Sequence, residues 1–195
     1  MSRLSAALLF CLWALSACVA PPETNRAVAA EEVADLAAAL RDLGPDIAPG
    51  EAERAAALAF AHTRTLAAAY RITDPPLLHN TKVNLGLRPR GLCWHWAEDI
   101  ERRLDAENFR TLEMHRAIAN ADNPFRIDHS TAIIGRRGDA LFEGLVLDPW
   151  RLGGRLFWGP VPGDPDYVWH PRAEDLRRIY PDLAAPAPAL LPAGA

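Results

Sequence analysis

The distribution of apolar residues along the first half of the chain is typical of helices. Apolar positions recur at intervals of three and four over residues 29–43, where Gly44-Pro45 ends the pattern, and again over 49–70. Residues 77–91 are polar and contain several Gly and Pro residues, which predicts a loop. The sequence therefore predicts two amphipathic helices followed by an irregular segment.

The second half of the chain has the pattern of a helix followed by an antiparallel sheet. A helix is predicted over residues 92–105, and strands are predicted over three later segments: 109–119, 126–134 and 141–147. Gly138-Asp139 is a typical turn sequence, so the last two strands are expected to form a hairpin. Gly153-Gly154 opens an irregular stretch, and residues 172–180 predict a short helix. Helices that precede an antiparallel sheet indicate an α+β fold class.

The first 17 residues indicate an export signal. Arg3 precedes an apolar run, Leu4 to Leu15, that is too short to span a bilayer, which needs roughly 20 apolar residues. The run ends in Leu15-Ser16-Ala17-Cys18, which resembles the bacterial lipobox, where the cysteine receives a diacylglycerol. The alternative is an ordinary secretory signal that is cleaved near Ala17 or Ala20.

These features predict four segments along the chain. They are a lipoprotein signal peptide (1–17), a lipidated tether (18–28), one domain (29–183) and a disordered tail rich in Ala and Pro (184–195). Two lipid chains on Cys18 would hold the mature protein to a membrane without spanning it. We therefore expect a cell-envelope protein that faces the periplasm.

Charge and cysteine content exclude several classes of protein. The net charge is −4, and loss of Arg3 with the signal makes the mature part more negative, which argues against nucleic acid as a partner. Cys11 leaves with the signal and Cys18 carries lipid, so Cys93 remains alone. A disulfide framework, a CxxC redox pair and a cysteine-rich zinc site are therefore excluded.

The lone thiol belongs to a set of residues that suits nucleophilic catalysis. Cys93 lies in the first turn of a predicted helix, where free N–H groups and the helix dipole stabilise a thiolate. His129 lies on a predicted strand, and Asp148 ends the strand that pairs with it. A nucleophile, a base and a group that orients the base are the three parts that thiol-mediated acyl transfer needs.

The same residues resemble the transglutaminase-like superfamily, a branch of the papain-like cysteine enzymes. The similarity covers roughly residues 77–150 and is carried by Gly91-Leu92-Cys93-Trp94, by His129-Ser130 and by Leu147-Asp148-Pro149-Trp150. By this resemblance Cys93 is the nucleophile, His129 the base and Asp148 the orienting residue. Papain-like enzymes take an oxyanion donor from a polar side chain upstream of the cysteine; Asn80 is preferred here over Asn84.

Each of these residues also has a simpler interpretation. Cys93 can be an inert core thiol, His129 a hydrogen-bonded core histidine and Asp148 a turn former. A zinc site formed by Cys93, His95 and His129 is disfavoured because positions two apart on a helix point in different directions. Tryptophans near the site are expected to form core and site wall.

The sequence thus predicts a lipid-anchored thiol enzyme with a transglutaminase-like domain. Its substrate is expected to be a peptide or protein amide of the cell envelope, attacked through a thioester; water as acceptor makes it a protease or amidase, and an amine makes it a transglutaminase-type acyltransferase. No metal or organic cofactor is implied. The alternative is a non-catalytic lipoprotein that uses the same fold to bind a partner.

Overall fold

The structure is a computed structural model that describes residue 28 and residues 30–172. The predicted signal peptide, Cys18, nearly all of the predicted helix 172–180 and the tail 184–195 lie outside this part of the chain. Among the described helices, none combines the length and the hydropathy that crossing a bilayer requires.

Four helices precede the sheet in the described part of the chain. They are α1 (Ala30–Arg41), α2 (Pro49–Tyr70), α3 (Pro76–Asn84) and α4 (Cys93–Asp105). The periodic apolar patterns behind α1, α2 and α4 are confirmed. Their buried residues, among them Leu36, Phe60 and Ile100, fall on one side of each helix and form the main core.

The loop predicted over residues 77–91 is wrong, because its first half forms α3. Pro76 occupies the first helical position, where a missing N–H costs nothing. Leu77 and Leu78 are exposed, and His79 is the one buried residue of the helix. A helix with so little buried surface has no apolar stripe, so its sequence lacks the periodicity that identifies a helix.

The strands form a five-stranded antiparallel sheet, which confirms the α+β class. They are β1 (Leu112–Ala119), β2 (His129–Arg136), β3 (Leu145–Asp148), β4 (Phe157–Pro160) and β5 (His170–Pro171), in the spatial order β4-β3-β2-β1-β5. The predicted hairpin of β2 and β3 is confirmed, although a 3₁₀ turn at Leu141–Glu143 replaces the start of the predicted third strand. The sequence did not predict β4 and β5, which are too short to carry a pattern.

The central strands are buried on both faces. The helices and one face of the sheet enclose the main core, which includes Ala132 and Leu147. A second, smaller cluster on alternate positions includes Ile133, Val146 and Trp169. Every residue of β2 except its last is buried, so a polar side chain on this strand needs a partner inside the protein.

Glu51, in the first turn of α2, is a buried carboxylate that joins the helix to the sheet. It accepts hydrogen bonds from the backbone N–H groups of Arg110 and Thr111 and from the Thr111 hydroxyl. Burial raises the pKa of Glu51, but these hydrogen bonds outweigh burial and lower the pKa to about 2. The start of α2 is thereby fixed to the segment that enters β1.

Replacing Glu51 by Gln is expected to lower the free energy of unfolding by about 1.5–3 kcal/mol, because a neutral amide oxygen replaces a charged acceptor. The folded-state pKa is lowered, so this stability is complete above about pH 4.5 and is lost as the pH falls through about 2. Urea unfolding between pH 7 and pH 2 measures both effects. Glu53→Gln, at an exposed position, should change stability by less than about 0.5 kcal/mol; equal losses in the two variants would contradict the role of Glu51.

Candidate active site

Cys93 is the first residue of α4 and is half-buried. The N-terminal cap, Leu92, has no side chain that can bond to the helix. The side chain of His95 instead bonds back to the residues that precede the helix. Its Nδ1 accepts hydrogen bonds from the backbone N–H groups of Gly91 and Leu92 at 3.1 and 3.2 Å. The backbone just before Cys93 is thus held by a side chain of the same helix.

A second histidine supports the chain just before the cysteine. His79 of α3 is 1% exposed, and its Nε2 donates to the Arg90 carbonyl at 2.9 Å. Gly91 has φ +125°, and a Cβ atom at this position would overlap the His79 ring. Trp96 Nε1 donates to the Gly91 carbonyl at 3.1 Å. Only glycine meets these demands, so the glycine in the sequence motif has a steric cause.

His129 and Asp148 are hydrogen-bonded, as their positions in the hairpin predict. The register pairs Ala132 with Leu147, which sets Asp148 opposite Thr131 and diagonal to His129, two residues along β2 on the same face. The His129 Nε2 donates to Asp148 Oδ2 at 2.6 Å, and the two side chains are 2% and 1% exposed. The sheet itself therefore fixes the distance between base and carboxylate.

The charges of this pair stabilise each other. Burial lowers the pKa of His129, but the Asp148 charge and hydrogen bond, with a smaller contribution from Cys93, raise the pKa to about 9. Burial raises the pKa of Asp148, and the His129 and Arg151 cations lower it below its usual range. The buried pair is therefore an imidazolium and a carboxylate at neutral pH.

The other ring nitrogen of His129 is free to face the thiol. Within the described part of the chain, Nδ1 is buried and has no hydrogen-bond partner. Cys93 lies close enough to raise the pKa of the imidazole, while its Sγ donates to the Asp128 carbonyl at 3.7 Å. Asp148 thus holds the Nε2–H, and the nitrogen that remains for a proton transfer lies on the side of the sulfur.

Aromatic rings surround the imidazole. The ring centroids of Trp150, Tyr167 and Trp169 lie 4.7, 4.5 and 5.4 Å from that of His129. Trp150 belongs to the main core and Trp169 to the second cluster, so His129 lies where the two meet. The rings shield the buried charges from water and strengthen their attraction.

Asn80 is connected to this group through Trp150. Its side-chain oxygen accepts the Trp150 Nε1–H at 3.0 Å, which leaves the amide N–H₂ as the group that can donate to a substrate. Asn84 lies at the other end of α3 and is exposed. The part of Asn80 in an oxyanion hole stays a prediction.

The sequence analysis missed Arg151, which holds the Asp148 carboxylate from behind. Its side chain is 6% exposed; Nε bonds to Asp148 Oδ2 at 2.8 Å, and the terminal nitrogens bond to Asp164 at 2.7 and 3.1 Å. Asp164 also accepts the Trp169 Nε1–H at 2.8 Å. One guanidinium therefore joins the orienting carboxylate to the segment that carries Tyr167 and Trp169. The i, i+3 spacing of Asp148 and Arg151 was the available signal.

A cleft of about 560 Å³ opens beside His129. Its walls come from the start of α3, from the β1–β2 loop and from the segments that follow β3 and β4. They include Leu77, Ile127, Trp150 and Leu152, so much of the lining is apolar. This size falls within the range of about 300–1,000 Å³ that is common for ligand sites.

The zinc alternative receives no support from the histidines near the thiol. His95 Nδ1 is already used by two backbone N–H groups, and burial, followed by the Arg90 charge, lowers the pKa of His95. Among the residues that the structure describes, no group of three or more His, Cys, Asp or Glu side chains could hold a metal ion.

Comparison of the chain with models of protein families, with curated proteins and with solved structures finds no match. The chemistry of the site therefore has to be inferred from its own residues and geometry.

Replacing Arg151 by Met is expected to lower the free energy of unfolding by about 3–5 kcal/mol, because Asp148 and Asp164 lose their shared cation. Arg151→Lys keeps the charge but cannot bond to both carboxylates, so an intermediate loss is expected. Urea unfolding at pH 7 gives the values. The control is Arg102→Met, because the Arg102 side chain is 69% exposed; it should lower the free energy of unfolding by less than about 1 kcal/mol. An equally small loss for Arg151→Met would contradict the role of Arg151 in holding the two carboxylates.

Proposed function

We propose that this protein is a thiol enzyme that cleaves or transfers acyl groups of peptide or protein amides, with Cys93 as nucleophile, His129 as base and Asp148 as orienting residue. The observation that carries the proposal is the buried His129–Asp148 pair, whose 2.6 Å hydrogen bond fixes Nε2 and leaves Nδ1 unpartnered beside the thiol. An unpartnered ring nitrogen beside a thiol is the position that proton transfer from Cys93 requires.

The chemistry follows from these positions. With the Cys93 proton held on His129 Nδ1, the reactive form is a thiolate beside an imidazolium, and the raised pKa of His129 favours this form. The thiolate attacks the amide carbon, and the imidazolium then donates its proton to the leaving amine, which forms a thioester on Cys93. Water or a second amine releases the acyl group, with His129 again taking and returning a proton.

The charge that develops on the amide oxygen needs donors. Cys93 is the first residue of a 13-residue helix, so its backbone N–H has no partner within the helix. This N–H and the Asn80 amide are the groups we assign to an oxyanion hole; one such donor is typically worth about 3–4 kcal/mol. Helix N-terminal N–H groups also stabilise the thiolate itself.

The order of helices, sheet, thiol, imidazole and carboxylate is consistent with the transglutaminase-like resemblance, and we propose that the domain has this core. The lipobox-like sequence before Cys18 supports a lipid-anchored protein of the cell envelope that faces the periplasm. In the resting structure the Cys93 Sγ donates to the Asp128 carbonyl at 3.7 Å. This contact favours the second candidate, a partner-binding lipoprotein without catalysis, and the alkylation experiment below separates the two.

At pH 6.5, iodoacetamide is expected to alkylate Cys93 at least about tenfold faster in the wild type than in His129→Ala, because the imidazolium stabilises the thiolate. Asp148 raises the pKa of His129 to about 9, so the wild-type advantage persists below that pH and is lost as the pH rises through it. Asp148→Asn should move this loss to lower pH. Mass spectrometry of the Cys93 peptide over time measures the rates.

His115→Ala is the matched control for the alkylation rates, because this histidine lies on β1 and pairs with Glu113. It should react like the wild type. Equal rates for the wild type and His129→Ala, or no labelling of Cys93 in the folded protein, would favour the partner-binding lipoprotein.

Labelled palmitate is expected to enter the wild-type protein in bacterial cells and to be absent from Cys18→Ser, because the cysteine of a lipobox is the acceptor of lipid. Cys11→Ser serves as control and should be labelled like the wild type. Incorporation into Cys18→Ser at the wild-type level would rule out the anchor.

A further inference from the structure

The cleft is lined by the imidazole of the candidate site but not by its thiol. His129 and Trp150 form part of its wall, whereas none of the described residues from Gly91 to Trp96 lines it. The Asp128 carbonyl, which accepts the Cys93 thiol, lies at the boundary between the sulfur and the cleft. The cleft therefore lies beside the imidazole and not among the residues around the thiol.

From this arrangement, and resting on the proposed function, we propose that the cleft binds the amine side of the substrate amide and favours a bulky apolar side chain there. The same site then receives the leaving amine during cleavage and the acceptor amine during acyl transfer, because the two reactions are the reverse of each other at this atom.

The amine side follows from the position of the proton. The group that protonates the leaving nitrogen must lie within hydrogen-bond reach of it, so this nitrogen lies on the His129 side of the thioester carbon. The acyl part is bonded to Cys93 and lies toward α4. A cleft that is lined by His129 and not by the residues around Cys93 is therefore adjacent to the nitrogen substituent.

The apolar preference follows from the walls. Leu77 of α3 and Ile127 of the β1–β2 loop both line the cleft and are 56% and 61% exposed. Pro75, Pro76 and Leu152 add further apolar surface. The lining includes two arginines and two aspartates, so the walls offer no single charge that would select a strongly cationic or anionic group; these residues are Arg126, Arg151, Asp128 and Asp166. Apolar surface left open beside a reacting group gains most from an apolar occupant.

Acyl transfer from a thioester to an amine measures which amine side chains the cleft prefers, without knowledge of the natural substrate. p-Nitrophenyl acetate acetylates Cys93 and releases p-nitrophenolate. The amine nitrogen then attacks the thioester carbon, the C–S bond breaks, His129 takes the amine proton, and the sulfur leaves as thiolate. Water competes by the same route and gives acetate.

The experiment uses the full-length protein in detergent and adds glycine amide, leucine amide or phenylalanine amide to the acetylated enzyme. The ratio of N-acetyl amide to acetate is expected to be about 10–100-fold higher for the leucine and phenylalanine amides than for glycine amide, which is the gain from burying one large apolar side chain. In the double variant Leu77→Asp/Ile127→Asp this preference should disappear, and arginine amide should become the best acceptor.

Leu85→Asp is the matched control, since Leu85 is also exposed and caps the other end of α3 outside the cleft. It should keep the wild-type preference. Equal ratios for glycine and leucine amides, with a normal burst of p-nitrophenolate that Cys93→Ser abolishes, would overturn this inference and leave the thiol enzyme intact. If the wild type gives no burst that depends on Cys93, the proposed function fails and the inference fails with it.

Discussion

The structure depends on a negative charge that is completely enclosed by protein. The Asp148 side chain is 1% exposed, and all of its partners come from nearby in the sequence or from the adjacent strand. Oδ1 accepts the backbone N–H groups of Trp150 and Arg151, while Oδ2 accepts His129 Nε2 and Arg151 Nε. A buried carboxylate with fewer partners would be protonated or would unfold the region. This requirement explains why the turn after β3 folds back on itself.

The thiol depends on a different kind of support. Two histidines, His79 and His95, use ring nitrogens to hold the backbone of residues 90–92. In the sequence only His95 invites comparison with a zinc ligand, and its spacing from Cys93 disfavours that role. In the structure both histidines fix the entry to α4 so that Cys93 begins the helix directly beside β2. The neutral state of His95 is required for this contact, because a protonated Nδ1 cannot accept a hydrogen bond.

The sequence was sufficient to predict helices with a periodic apolar pattern and contacts between residues that lie close together in the chain. Apolar periodicity identified α1, α2 and α4, and the turn at Gly138-Asp139 placed β2 beside β3, which brought His129 to Asp148. It did not contain a readable signal for α3, whose residues bury almost no apolar surface, or for β5, which is two residues long. The contact of Arg151 with Asp164 joins positions 13 apart across an irregular segment. Such contacts depend on the path of a loop, which local pattern does not determine.

The His129–Asp148 pair and the cleft beside it are positioned by different kinds of structure. His129 and Asp148 lie on neighbouring strands, so the hydrogen bonds of the sheet determine their separation. Much of the cleft beside them is formed by loops, including residues 120–128 and 150–152. Changes in loop length or composition can thus remodel what the protein accommodates while the proton-transfer geometry stays constant. A lineage that carries this scaffold can diversify its choice of substrate without having to rebuild its chemistry.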